Sequence, residues 1–315
     1  MVDISVVIVS WNARSFLMEC LNSLTNTTSN HTIEVIVVDN GSNDGSQELV
    51  KELFPWVRLI ENDSNLGFAK ANNIGIKQSS GRYIALINSD VKVLDKCLDR
   101  LCDYFDKNPE AGILGPKILN PDMSIQWSCR KYPSIWRLLC SALWLNRFFS
   151  RIDFFNGEEL TSISYNCTRK VDALSGCFLL VRRKAVDEVG LLDENYFIYS
   201  EDIDWCRRFF KAGWEVVFYP GGEAIHYKSG SSSNSPAVFS VEKDKALFQY
   251  GKKYFSTFSI MALWVTLLLH HGIRILLELF IMITKYYDRK QRVMKLKGHL
   301  LCFKWLLEYP MQTLM

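Results

Sequence analysis

The sequence has no Gly-x-Gly-x-x-Gly run after its first apolar segment and no Gly-x-x-x-x-Gly-Lys-Ser/Thr loop. SWNARSF stands where dinucleotide-binding glycines would be, so no backbone cradle for a pyrophosphate follows the first strand. The second absence excludes a P-loop NTPase. A nucleotidyltransferase that makes activated sugars would also want a glycine-rich, basic loop near strand one, and that feature is missing. The nine cysteines form no Cys-x-x-Cys pair and no zinc-like grouping. Such an odd, unpatterned set reads as reduced thiols in a cytosolic chain rather than a disulfide framework. Repeats and low-complexity segments are lacking as well. The formal net charge of +3 on 315 residues says little by itself, because its distribution matters more, and no nucleic-acid partner is expected.

What is present is a chain with 48% hydrophobic residues, long enough to bury a full core and too long for one minimal domain. MVDISVVIVSWN, with an acid at position 3, reads as a first strand rather than a signal peptide. The Asn-x-Ser/Thr sequons at Asn26, Asn30, Asn62 and Asn166 therefore carry no expectation of glycosylation. ISVVIVS (4–10), IEVIVVD (33–39), VRLIE (57–61) and YIALIN (83–88) are short, β-branched and almost continuously apolar. They alternate with helical stretches around 14–24, 45–54, 68–78 and 95–107. This alternation predicts an α/β protein with a mostly parallel sheet covered on both faces. Further on, GILGPKIL (112–119), VDALSGCFLLVRR (171–183) and EVVFYP (215–220) read as strands, the last followed by a Gly/Ser-rich loop around His226.

The composition changes near residue 255, which predicts a catalytic-size domain over 1–255 and a helical tail over 256–315. Residues 259–284 are long and apolar enough to span a bilayer, but His270, Arg274 and Glu278 fall four apart and draw one polar stripe. That stripe favours a helix lying in the membrane plane over one that crosses it. Lys285, Arg289, Lys290, Arg292, Lys295 and Lys297, against Asp288, give residues 285–299 a net +5, suited to anionic headgroups.

FIYSEDIDWCRR (197–208) gathers Glu201, Asp202 and Asp204 behind Ser200, a candidate N-cap. Acids in a first helical turn suit the helix dipole, so a solvated acidic turn is one reading. Helical spacing separates the three, however. Asp202 shares a face with Trp205, Cys206 and Phe209, while Asp204 sits four before Arg208, a candidate surface partner. Polar residues also cluster where the apolar strands end: Ser10-Trp11-Asn12 after the first, Asp39 after the second, and Asn88-Ser89-Asp90 after the fourth. In open α/β sheets, ligands bind beyond those carboxyl ends. Ordinary turns would explain any one of the three.

VSWN (9–12), VVDNGSNDGS (37–46), NLGFAKANNIG (65–75), INSD (87–90), SGCFLLVRR (175–183), FIYSEDIDWCRR (197–208) and HYKSGSS (226–232), in this order, resemble the family 2 glycosyltransferases of the GT-A fold. The wording of NLGFAKANN and ALSGCFLLVRR is most similar to bacterial rhamnosyltransferases of surface-polysaccharide assembly. The resemblance implies a Rossmann-like, mostly parallel sheet with helices on both faces, plus the C-terminal amphipathic helical extension. It further implies an inverting transfer from a nucleotide-diphosphate sugar to a saccharide acceptor, expected to be polyprenyl-linked and met at the cytoplasmic face of the membrane. By that analogy Asp39 reads base and ribose, with Ser10, Trp11 and Asn12 lining the same pocket. Asn65, Gly67 and Asn73 form the next wall, and Gly176 and Cys177 the floor of the sugar site. Asn88, Ser89 and Asp90 occupy the family's Asp-x-Asp metal motif, but Asn88 replaces its first acid, which gives His226 more weight as a ligand for Mg2+ or Mn2+. Asp202 is the implied general base, and Glu201 a second candidate or an orienting group. A catalytically silent member that binds nucleotide-sugar or saccharide as a scaffold is the competing reading.

Overall fold

The computed structural model describes residues 2–25, 30–149, 152–228, 236–284 and 289–308. Part of the HYKSGSS motif (229–232) and of the basic stretch (285–288) lies outside the described residues, as does Asn26. The chain forms two compact units. The first comprises Met1–Tyr132, Ile163–Phe197 and Glu201–Ser231; the second comprises Pro133–Ser162, Ile198–Ser200 and Ser232–Met315.

In the first unit the continuous apolar runs become β1 (Ile4–Ser10), β2 (Ile33–Asp39), β3 (Arg58–Glu61) and β4 (Tyr83–Asn88). Between them lie α1 (Arg14–Leu24), α2 (Ser46–Leu53) and α3 (Phe68–Lys77). There follow β5 (Val91–Val93), α4 (Cys97–Lys107), β6 (Ala111–Leu119) and the two-residue strands β7 (Cys129–Arg130), β8 (Arg169–Lys170) and β9 (Ala173–Leu174). β10 (Phe178–Arg182), α7 (Arg183–Val189), α8 (Glu201–Lys211) and β11 (Glu215–His226) complete this unit, α5 (Ile135–Ala142) and α6 (Leu145–Phe148) belonging to the other.

The main sheet runs β3-β2-β1-β4-β10-β6-β11-β5, with β8 pairing β11. β1 is parallel to both β2 and β4, whereas β10 runs antiparallel between β4 and β6. Such a sheet must be covered on both faces. Accordingly Ile4, Val6 and Ile8 pack with Leu17 and Leu21 of α1 on one side, and Ile36 and Val38 with Ala71 of α3 on the other. Ser10 stands level with Asp39 and Val9 level with Asn88, so the carboxyl ends of three strands reach one rim.

Two expectations change here. VDALSGCFLLVRR is not one strand: residues 175–177 break it into β9 and β10, and Ser175 is held by a hydrogen bond from its amide to Ser128 O. His226 closes β11 instead of sitting in a loop. A register shift between Tyr219 and Glu223 bends β11, after which Ala224–His226 pairs with β5.

The second unit holds α5 (Ile135–Ala142), α6 (Leu145–Phe148), a 3-10 turn (Asp153–Phe155), α9 (Pro236–Tyr254), α10 (Thr257–Thr284) and α11 (Arg289–Glu308). Its core joins Leu247 and Phe248 of α9, Ile260, Leu263 and Leu267 of α10, and Leu306 of α11, with Ile135 and Leu138 of α5 against them. The polar stripe of α10 turns inward. Arg274 lies 3.3 Å over the Trp144 ring, and Glu278 accepts from Arg292 of α11 at 3.2 Å. Apolar side chains point outward instead: Phe258, Val265, Leu269, Leu276, Phe280 and Ile283 are all exposed.

Candidate active site

The end of β2 is built around Asp39, which is buried. Its Oδ1 accepts from Ser42 N at 2.9 Å and Gln47 Nε2 at 2.7 Å, while Oδ2 is buried with no hydrogen-bond partner. Ser10 Oγ and Asn88 Oδ1 are likewise buried and unpartnered. Each such group costs free energy unless something meets it, so three at the tips of three adjacent strands mark a place for a polar ligand. Asn12, in a left-handed conformation with φ of 50°, ties this rim to the next loop: its amide donates to Ser42 Oγ, and its Oδ1 accepts from Asn43 N, both at 2.9 Å. Trp11 beside it is half-buried.

Asn40 was not among the residues singled out from the sequence, yet it organises the neighbouring wall. Its Nδ2 donates to Asn65 Oδ1 (2.9 Å) and Gly67 O (3.2 Å), and its Oδ1 accepts from Leu66 N (3.0 Å). Gly67 has φ of 86°, and a Cβ there would lie 2.5 Å from Phe197 O. The space left by this glycine is thus filled by the protein's own backbone. Asn73 is also turned inward, clamping Leu192: its Nδ2 donates to Leu192 O at 2.8 Å, and its Oδ1 accepts from Leu192 N at 3.1 Å. That pins the segment before α8 rather than presenting an amide to the rim.

Asp90, just before β5, and His226, the last residue of β11, meet with Oδ1 and Nε2 3.2 Å apart; Asp90 and Ser89 are buried, and His226 is half-buried. Gln126, a second residue missed in the sequence, sets the ring. His226 Nδ1 donates to Gln126 Oε1 at 2.7 Å, and Gln126 Nε2 donates to Asn120 Oδ1 and His226 O, which fixes the amide's orientation. Nε2 therefore faces Asp90. Burial opposes a charge on His226, but Cys177 and the hydrogen bond to Asp90 outweigh it and raise the imidazolium to about 10. A metal ion bound there must displace that proton, because only the neutral ring is a ligand. A carboxylate oxygen beside an oriented ring nitrogen, with the unpartnered Asn88 Oδ1 two residues from Asp90, is a donor set that fits a small divalent cation.

α8 brings the acids in from the other side. Asn88 N donates to Cys177 O (2.9 Å), and Gly176 N donates to Asp202 Oδ2 (2.7 Å). Two consecutive residues thus link the tip of β4 to Asp202, whose Oδ1 accepts from Ile203 N. Glu201, Asp202 and Asp204 are all buried, so this is no solvated acidic turn. Ser200, with φ of 63°, lacks the extended backbone of a usual N-cap. Asp204 pairs with Arg208 at 2.9 Å as its spacing predicts, but Asp204 is fully buried and Arg208 half-buried, the same guanidinium holding Val189 O and Leu191 O. Burial first, then the Asp202 charge, raise Glu201 well above the ordinary carboxyl range, and its Oε2 has no hydrogen-bond partner.

A sheet of this order, with a polar rim at its parallel strand tips and a carboxylate-bearing helix beside it, is that of a GT-A glycosyltransferase. The chain belongs to glycosyl transferase family 2, whose sequence model matches residues 5–190. It is 35% identical, over 74% of its length and 78% of the relative's, to an N-acetylglucosaminyl-diphospho-decaprenol L-rhamnosyltransferase of Mycobacterium tuberculosis strain H37Rv. It is 28% identical to the dTDP-rhamnosyl transferase RfbF of Shigella flexneri, over 71% of this chain and 69% of that one. Its fold is similar, at a TM-score of 0.54 and 13% identity, to a mannosyltransferase from Pyrobaculum calidifontis in complex with GDP-mannose and Mn2+, covering 96% and 86% of the two chains.

Proposed function

We propose that this glycosyltransferase moves rhamnose, with inversion, from a nucleotide-diphosphate donor to a saccharide on a polyprenyl diphosphate at the cytoplasmic face of the membrane. The observation that carries the reading is the pair of hydrogen bonds, Asn88 N to Cys177 O and Gly176 N to Asp202 Oδ2, which sets a buried carboxylate beside the strand tips.

Donor recognition falls to the rim. Asp39 Oδ2, already desolvated and unpartnered, accepts from a base N–H or ribose hydroxyl, and Ser10 Oγ offers a second contact. Asp90 and His226 would hold Mg2+ or Mn2+, which neutralises charge on the leaving diphosphate when bound. Asp202 removes the proton from the acceptor hydroxyl as that oxygen attacks the anomeric carbon, opposite the diphosphate, in one displacement without a covalent enzyme intermediate. Each Asp202 oxygen keeps a lone pair beyond its amide contact, so the hydroxyl has somewhere to bind. Burial and the Asp202 charge favour the protonated form of Glu201, which suits it to orient or to donate rather than to act as the base. Rhamnose and the lipid-linked acceptor are favoured by the two rhamnosyltransferase relatives. The outward apolar side of α10 supports docking on the bilayer where such an acceptor resides.

The test is a thermal-shift screen of nucleotide-sugars, with and without Mg2+ or Mn2+, followed by transfer assays on N-acetylglucosaminyl-diphospho-polyprenol. A dTDP-rhamnose shift that requires metal and is lost in Asp90→Ala, followed by product of inverted configuration, is expected. Binding without any transfer would instead indicate a scaffold.

A further inference from the structure

Three histidines of the helical unit crowd one place. His270 and His271 are consecutive on α10, His299 is on α11, and one ring nitrogen from each lies within 4.8 Å of the other two. His271 is buried, and the others are half-buried. Its Nε2 faces Asp244 Oδ2, on α9, at 2.8 Å. An ionised carboxylate only accepts, so this nitrogen carries the proton, and in the neutral ring the lone pair sits on Nδ1. That Nδ1 is 3.0 Å from His299 Nδ1. With the lone pair of His271 on Nδ1, His299 Nδ1 donates to it. In its other neutral tautomer His299 offers a lone pair of its own at that atom, so three ring nitrogens can turn on one point. His271 is oriented by a carboxylate from behind, the arrangement that aims imidazoles at metal ions.

We propose that His270, His271 and His299 bind one zinc-class divalent ion, with Asp244 as a positioning residue for His271. Neutral imidazoles select a borderline ion such as Zn2+ over Mg2+ or Mn2+, which prefer oxygen. Zinc–nitrogen bonds of about 2.0–2.1 Å in a tetrahedron separate the ligand atoms by about 3.3 Å. The His271–His299 spacing of 3.0 Å needs to open only slightly, and His270 closes in by side-chain adjustment. Asp244, His271 and Cys302 also lie within 4.8 Å of one another. There, however, His271 Nε2 carries its proton and donates it to Asp244 at 2.8 Å, so it has no lone pair for an ion, and burial pushes the Cys302 thiol far up. The nearest guanidinium on α10, that of Arg274, is taken up by the Trp144 ring. An ion at the histidines would tie α10 to α11, with α9 held through Asp244. The site is separate from the rim at the sheet and does not depend on the transfer reaction.

The test uses the full chain, free of any histidine tag and stripped with a chelator, titrated with Zn2+ by calorimetry without nucleotide-sugar. One Zn2+ per chain is expected in the wild type and in Asp90→Ala, with affinity weakened at least about 10-fold in His299→Ala and in Asp244→Asn. His299→Gln, checked for helix content by circular dichroism, serves if the alanine variant fails to fold. Zn2+ should also raise the thermal midpoint of the wild type but not that of the His299 variants. Failure of the wild type to bind, equal binding by the wild type and the His299 variants, or loss of binding only in Asp90→Ala would overturn the proposal. So would a sulfur-to-cobalt charge-transfer band on Co2+ substitution, which would place the ion on Cys302.

Discussion

The amide of Gly176 donates to Asp202 Oδ2 across 2.7 Å, joining residues 26 apart in sequence and aiming the carboxylate of α8. Because the next residue, Cys177, is bonded to Asn88, the position of Asp202 is referred directly to the rim of the sheet. The acid does not depend on its own helix alone for its placement.

Asp202→Asn keeps the shape of the side chain and one of its two amide contacts, since only one oxygen remains to accept, and removes its basicity. We expect kcat to fall about 10²–10⁴-fold, while calorimetric affinity for the donor stays within about twofold. Equal loss of turnover and donor binding would exclude Asp202 as the base.

Gly176→Ala tests the placement itself. A Cβ there would stand 3.1 Å from Asp202 Cβ and 3.3 Å from Oδ2, so the acid must give way by a few tenths of an ångström. A drop in kcat on the order of 10–100-fold with little change in donor affinity is expected. Wild-type turnover in the variant would show that this contact does not position the acid.

Glu201→Gln should stabilise the fold, and more so as pH rises. The folded-state pKa of Glu201 is raised by burial and by Asp202, whereas in the unfolded chain it returns to about 4.3. The protonated form is thus favoured on folding, so wild-type stability is fully present below about pH 4 and is lost as pH climbs toward the raised value. Glutamine does not ionise. Denaturant midpoints at pH 4.5 and 7.5 should show a clear gain at the higher pH and little at the lower. A gain independent of pH would point to packing rather than charge.

Leu276→Glu together with Ile283→Glu places charge on the outward side of α10, where the two side chains are 69% and 84% exposed. Exposed positions tolerate this with stability changes within about 0.5 kcal/mol each. Co-sedimentation with anionic vesicles should fall at least about tenfold. Unchanged sedimentation would mean that another surface makes the contact.

The sheet was legible in the chain because buried parallel strands must be apolar throughout. Ile4–Ser10, Ile33–Asp39 and Tyr83–Asn88 match their apolar runs residue for residue, and a polar residue ending each run marked the rim. Helical spacing likewise separated Asp202 from Asp204 and paired Asp204 with Arg208. Spacing along a helix says who can touch whom, but not what covers the helix. Arg208 donates to the backbone carbonyls of Val189 and Leu191, and so the expected surface ion pair has a fully buried acid and a half-buried base. The same limit hid the partners that aim the chemistry. Gln126 meets His226 across 100 residues, Asn40 reaches Asn65 and Gly67 only because β2 and the next loop converge, and His271 finds His299 through helix packing. Local composition therefore determined the strands, their order of appearance and the acids at their tips. Only the tertiary structure decided which nitrogen of His226 faces Asp90, which amide holds Asp202, and that the polar stripe of α10 turns inward. Those outcomes depend on contacts between distant segments, for which periodicity along the chain carries no signal.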